Sequence, residues 1–139
     1  MALLEARFLE DDAPPNLPDF ALEMTTIYVS RDSGWKLGNE VLSFFAGEKE
    51  SAATLRKLRR AKFAITIDVE VWALATIKTR IYAARNGMYA IEMQRRSGDS
   101  VTFIHIFRKI ARFLRGRLDE PDLGEIFDPA TATLALYDP

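Results

Sequence analysis

The 139-residue chain contains no cysteine and a single histidine. The first absence removes disulfides and thiolate metal sites together. The second leaves His105 with no second imidazole or thiol to share a metal or a proton relay, so a structural role in an apolar stretch is its expected one. No GxSxG, HExxH, phosphate-binding glycine loop or EF-hand spacing occurs. The expectation is a protein that is not an enzyme, with no catalytic residue, metal ligand set or cofactor. No apolar run approaches the length of a membrane span. The opening MALLEARFLEDDAPP lacks a basic leader and is interrupted by Glu5 and Arg7, so neither a signal nor a transit peptide is expected and the cytoplasm is the default compartment.

What is present is ordinary in amount and unusual in placement. Apolar residues make up 48% and charged residues 28%, which suits one globular domain, and the net charge is only -1. That balance hides a partition. Residues 1–53 hold four Lys or Arg against ten Asp or Glu, residues 54–117 hold fifteen against four, and residues 118–139 hold none against six. A basic centre of net +11 lies between two acidic arms of -6 each. It implies either an anionic external partner or neutralisation by those arms.

Punctuation and periodicity divide the chain further. Pro14, Pro15 and Pro18 read as an extended linker, so residues 1–22 form an N-terminal arm, 23–117 one α+β domain, and 118–139, with prolines at 121, 129 and 139, an acidic C-terminal arm. MTTIYVS at 24–30 is β-branched and reads as a strand. Leu37, Val41, Leu42, Phe44 and Phe45 predict a helix over 38–46, with Asn39 as its cap and Gly47 as its stop. SAATLRKLRRA, with Leu55 and Leu58 three apart, predicts a second short helix presenting Arg56, Lys57, Arg59 and Arg60 outward.

Strict alternation then begins. KFAITIDVEVW buries Phe63, Ile65, Ile67, Val69 and Val71, ATIKTRIYA buries Ile77, Thr79, Ile81 and Ala83, and MYAIEMQ buries Tyr89, Ile91 and Met93. Asp68 and Glu70 on the wet face are expected to balance Lys78 and Arg80 on the next strand. The Asn86-Gly87 pair marks a hairpin whose register can be chosen. A two-residue loop sets Ile81 against Glu92, whereas Arg85-Asn86-Gly87 with Gly87 left-handed pairs Ile81 with Ile91, Thr79 with Met93 and Arg80 with Glu92. The three-residue loop is the expectation. Gly98-Asp99-Ser100 supplies a turn and a cap, and Phe103, Phe107, Ile110 and Leu114 form the buried stripe of a helix, although a fourth strand over 101–107 is the alternative for so β-branched a segment. The predicted core is helix-strand-strand-strand-helix, an antiparallel sheet of three to four strands with two helices packed on one face.

With GMYAIEMQRRSGDSVTFIHIFRKI as third strand, turn and helix, this order resembles the kinase-associated domain that ends AMP-activated-kinase relatives and microtubule-affinity-regulating kinases. The matching residues are Arg95 and Arg96 at the strand end, Ser97 to Ser100 as the turn, Phe103, and the helix positions Phe107, Ile110 and Leu114. The resemblance spans residues 38–116 and its specific part is short. It implies a module that binds acidic phospholipids through basic surface residues and that can hold a kinase domain inactive. Departures are the absence of a kinase domain within this sequence, the proline-rich and acidic arms, and the β-branched start of the last helix. The same order occurs in double-stranded-RNA-binding domains, whose glycine and lysine pattern is missing here.

Only Arg95 and Arg96 come from the resemblance; charge placement adds Arg56, Lys57, Arg59, Arg60, Arg108, Lys109, Arg112, Arg115 and Arg117. No acid lies between Ser100 and Leu118, so the last helix cannot neutralise itself. The expected partner of these residues is an anionic membrane surface or an acidic protein segment, with the chain peripheral to a membrane in the first case. RNA ranks lower, since Tyr82 is the one aromatic expected on the wet face. The rival reading is a structural subunit of a larger protein or ribonucleoprotein assembly, held by its acidic arms.

Overall fold

The computed structural model describes residues 2–49 and 51–116, which form one five-stranded antiparallel sheet with two helices. In chain order these are β1 (Thr26–Ser30), α1 (Gly34–Gly47), β2 (Ala52–Arg59), β3 (Ala64–Glu70), β4 (Leu74–Ala83), β5 (Met88–Gly98) and α2 (Ser100–Arg115). The sheet runs β1-β5-β4-β3-β2. The fold is α+β as expected, but the sheet has five strands where three to four were predicted, and the acidic arm at 118–139 lies outside the described residues.

The fifth strand is the segment predicted as a short helix. Leu55 and Leu58 do face the core three residues apart, but a bulge between Leu55 and Lys57 is the cause. The added residue, Arg56, stretches the two-residue repeat of a strand to a local spacing of three, which imitates a helical face. Most of the alternating residues of β3 and β4 behave as the sequence predicts, with Ile65, Ile67, Val69, Ile77 and Ile81 completely buried; Val71 and Ala83, expected inward, are half-buried at the strand ends. Pairing of Ile81 with Ile91, Thr79 with Met93 and Arg80 with Glu92 confirms the three-residue hairpin register. Gly87 is left-handed at φ +73°, and Asn86 joins it at +57°.

α2 is helical from Ser100, so residues 101–107 are not a strand. Asp99 is the cap: its carboxylate accepts the Thr102 N–H at 2.8 Å. Thr102, Phe103, Ile106, Phe107, Ile110, Ala111 and Leu114 are its buried residues, which include the whole predicted stripe. α1 starts four residues earlier than predicted, and Asn39 lies inside it rather than capping it. The Asn39 amide instead satisfies the backbone of Phe8, accepting its N–H at 2.7 Å and donating to its carbonyl at 3.1 Å.

That pairing shows what the N-terminal arm does. Phe8 is 1% exposed and belongs to the core, where its ring stacks on Phe63 at 4.2 Å between centroids. Gly34 and Gly38, one turn apart on α1, leave the room: a Cβ on Gly38 would stand 2.4 Å from the Phe8 ring, and one on Gly34 would stand 2.4 Å from Pro14. The arm then runs alongside the end of β4, where Leu17 N–H donates to the Ala83 carbonyl at 3.1 Å and Ala83 N–H to that of Pro15 at 2.7 Å. It reaches β5, where the Glu23 N–H donates to the Glu92 carboxylate at 2.8 Å. Both helices pack on one face of the sheet, and this strap ties down part of the other.

A basic face on the open side of the sheet

Register decides which side chains share the uncovered face. In an antiparallel ladder, residues directly opposite one another project to the same side. Lys57, Thr66, Lys78 and Gln94 form one such row across β2, β3, β4 and β5, and Arg59, Ala64, Arg80 and Glu92 form the next. Their parity is opposite to that of Ile65, Ile67 and Ile77 under the helices, so both rows point away from the core.

Two bulges enrich this face with arginine. Arg56 is the residue added in β2, and its guanidinium lies 3.6 Å from Asp68, an open-face carboxylate. Arg96 is the residue added in β5, between the partners of Ile77 and Thr76, and it donates to the Gln94 side chain at 3.2 Å. Arg56, Lys57, Arg59, Lys78, Arg80 and Arg96 thus gather on one surface. Burial pushes the Lys78 ammonium below the usual lysine range, and the charges of Arg80, Arg96, Arg59 and Lys57 push it the same way. Among the described residues of the strands, Asp68, bonded to Thr76 at 2.6 Å and beside Arg56, the exposed Glu70 at the strand end, and Glu92 under the strap also carry charge on this side.

The remaining predicted residues stand elsewhere. Arg60 holds Asp12 of the arm in a forked pair at 2.7 and 3.0 Å, which keeps that carboxyl below its ordinary value. Arg95 is opposite Ile77, exposed at the end of the sheet, and donates to the Gly98 carbonyl at 2.9 Å. Arg108, Lys109, Arg112 and Arg115 lie half-buried along α2 and none is free of a partner; Lys109 meets Glu48 at 2.9 Å. Arg117 lies outside the described residues. The cations of α2 therefore belong to a different surface from those of the sheet.

Lys78 and Arg80 were missing from the predicted set because Asp68 and Glu70 were expected to balance them. The register overturns that pairing: Asp68 is opposite Thr76, Glu70 opposite Leu74, Lys78 opposite Thr66 and Arg80 opposite Ala64. The signal was available in the alternation of β4, and reading 52–59 as a strand would have joined it to Lys57 and Arg59. Tyr82 corrects another expectation. It is 6% exposed and offers no ring for a base to stack on. His105 packs its ring against Trp72 at 4.9 Å.

No helix among the described residues is long and apolar enough to cross a membrane. A comparison with protein-family models finds none that matches this chain. A comparison with curated proteins likewise finds no match.

Proposed function

We propose that this protein is a non-enzymatic binding module that holds anionic phospholipid headgroups on the open face of its sheet, at the cytoplasmic surface of a membrane. The observation that carries this reading is the set of cations that the register gathers around Lys78 on the open face: Arg80 two residues along its own strand, Arg96 on β5, and Lys57 and Arg59 on β2. Such a cluster is unfavourable alone and is relieved by a polyvalent anionic surface. Each Lys or Arg near an anionic bilayer contributes about 1 kcal/mol, so Lys57, Arg59, Lys78, Arg80 and Arg96 together supply about 5 kcal/mol, enough for reversible peripheral binding. The resemblance of the β5-to-α2 segment to the kinase-associated domain supports the same class of ligand. The buried Tyr82 weighs against single-stranded RNA, which wants stacking platforms beside its basic groove.

Co-sedimentation with phosphatidylserine-containing vesicles tests the proposal. Wild type is expected to bind at low salt and to be released as ionic strength rises past about 0.15 M. A Lys57→Ala, Lys78→Ala, Arg96→Ala variant should bind about a hundredfold more weakly, at ~1 kcal/mol per cation. An Arg108→Ala, Arg112→Ala variant should bind vesicles nearly as wild type does. Equal binding to neutral vesicles, or an unaffected triple variant, overturns the reading. Salt-sensitive binding to polyglutamate but not to vesicles replaces the lipid with an acidic protein segment.

A further inference from the structure

The basic face ends at an apolar tip. β3 and β4 are joined by Val71, Trp72 and Ala73, with Glu70 paired to Leu74 across the base of the loop. Trp72 is 65% exposed, Leu74 52%, and Val101, in the first turn of α2, 62%. Leu74 shares the parity of Lys78 and Arg80, so it extends the open face, whereas Trp72 leans over the first turns of α2, where it borders a cleft with Val101, Ile104, His105 and Arg108.

We propose that this tip enters the interfacial layer of an anionic bilayer, an inference that rests on the lipid reading above. Three features point to a bilayer as the occupant. The loop is held out rather than loose: the Thr102 hydroxyl donates to the Ala73 carbonyl at 3.0 Å, the Asp99 N–H donates to the Leu74 carbonyl at 2.8 Å, and the Trp72 ring meets the edge of His105. A rim fixed in this way loses little freedom on binding. Its charge complements an anionic surface, since Arg95 and Arg96, both exposed, end the strand that pairs with the start of β4. Asp99 is engaged by the N-terminus of α2, which leaves Glu70 as the carboxylate beside Leu74. Tryptophan, finally, is the side chain whose apolar body and N–H suit the headgroup level of a bilayer.

The test uses the full chain carrying Trp35→Phe, so that Trp72 is the sole tryptophan. Its emission is expected to shift to the blue on adding phosphatidylserine-containing vesicles and to be quenched by brominated acyl chains. Trp72→Ala in the natural background should weaken vesicle binding about tenfold with little change in the urea midpoint, because the ring is largely exposed and the loop keeps its Thr102 and Asp99 hydrogen bonds. Glu70→Gln should strengthen binding. Salt-sensitive vesicle binding with unchanged Trp72 emission and an unaffected Trp72→Ala variant overturns the tip while the basic face stands. Absence of vesicle binding by wild type overturns both. Self-association that Trp72→Ala abolishes, with no spectral response to vesicles, assigns the patch to a second copy of the chain and overturns the proposal too.

Discussion

Arg56 and Arg96 occupy equivalent places in the sheet: each is the residue that a bulge adds to its strand, and each lies with the open-face side chains, Arg56 beside Asp68 and Arg96 beside Gln94. A bulge breaks the two-residue repeat, so the strand gains a side chain on one face without losing one from the other. Here the gain on both occasions is a guanidinium, which raises the charge density around Lys78 beyond what regular alternation would place there.

Lys78 should trade stability for binding. Its folded-state pKa lies below that of an ordinary lysine, because burial and then Arg80, Arg96, Arg59 and Lys57 disfavour its charge. The folded protein therefore holds this proton less tightly than the unfolded chain does. The penalty is full below the folded-state midpoint and is relieved as pH rises from there to the ordinary lysine value. Lys78→Met is expected to raise the urea midpoint at neutral pH, by an amount that shrinks across that alkaline window, and to weaken vesicle binding at the same time. Paired denaturation and co-sedimentation curves check both directions.

Phe8→Ala should destabilise the domain by about 3–5 kcal/mol, since it removes a fully buried ring that stacks on Phe63. Gly38→Ala acts at the same contact from the helix side, where the added Cβ would stand 2.4 Å from the ring. A loss of about 1–3 kcal/mol is expected there. Urea unfolding followed by circular dichroism measures each, and an unchanged midpoint for Phe8→Ala would show the arm to be dispensable.

Glu92→Ala should free the strap. The Glu92 carboxylate accepts the Glu23 N–H at 2.8 Å from a position almost out of solvent. Losing that acceptor costs about 1–3 kcal/mol. Exchange of the amide hydrogens near Glu23 should quicken more than exchange at the Val69 end of β3, which pairs with Ala75 away from the strap; equal changes in both would show a global effect instead.

Gly98→Ala should be among the most damaging single-methyl additions. Gly98 has φ +89°, and a Cβ would lie 2.2 Å from the Leu74 carbonyl oxygen. Both the conformation and the space exclude it. The expected result is a loss of about 2–3 kcal/mol, from the strain of a side chain at positive φ and a displaced strand end, read as a lowered thermal midpoint.

Much of the fold was legible because its signals are local. Alternation in β3, β4 and β5 names most of the core side chains, the Asn86-Gly87 hairpin has one register that keeps Glu92 off the apolar face, and Asp99 is a cap within three residues of the amide it accepts. β2 was not legible, because Arg56 interrupts the alternation and a spacing of three between leucines is shared by a helix and a bulged strand. The arm was equally hidden. Prolines 14, 15 and 18 correctly mark extended chain, but extended chain can pack as well as dangle, and nothing near Phe8 in the sequence announces the gap that Gly34 and Gly38 open for it.

The candidate surface divides in the same manner. The sequence by itself determined that the centre of the chain is basic and that Lys78 and Arg80 share a strand face, since these depend on composition and on neighbours a few residues away. Only the tertiary structure decided that the sheet's cations and the helix's cations are separate sets. Strand order sets Lys57 and Arg96 on either side of Lys78, while Arg60 turns to Asp12 and Lys109 to Glu48. Charge along a chain is a one-dimensional quantity, and a binding face is made by pairing across strands that the chain itself keeps far apart.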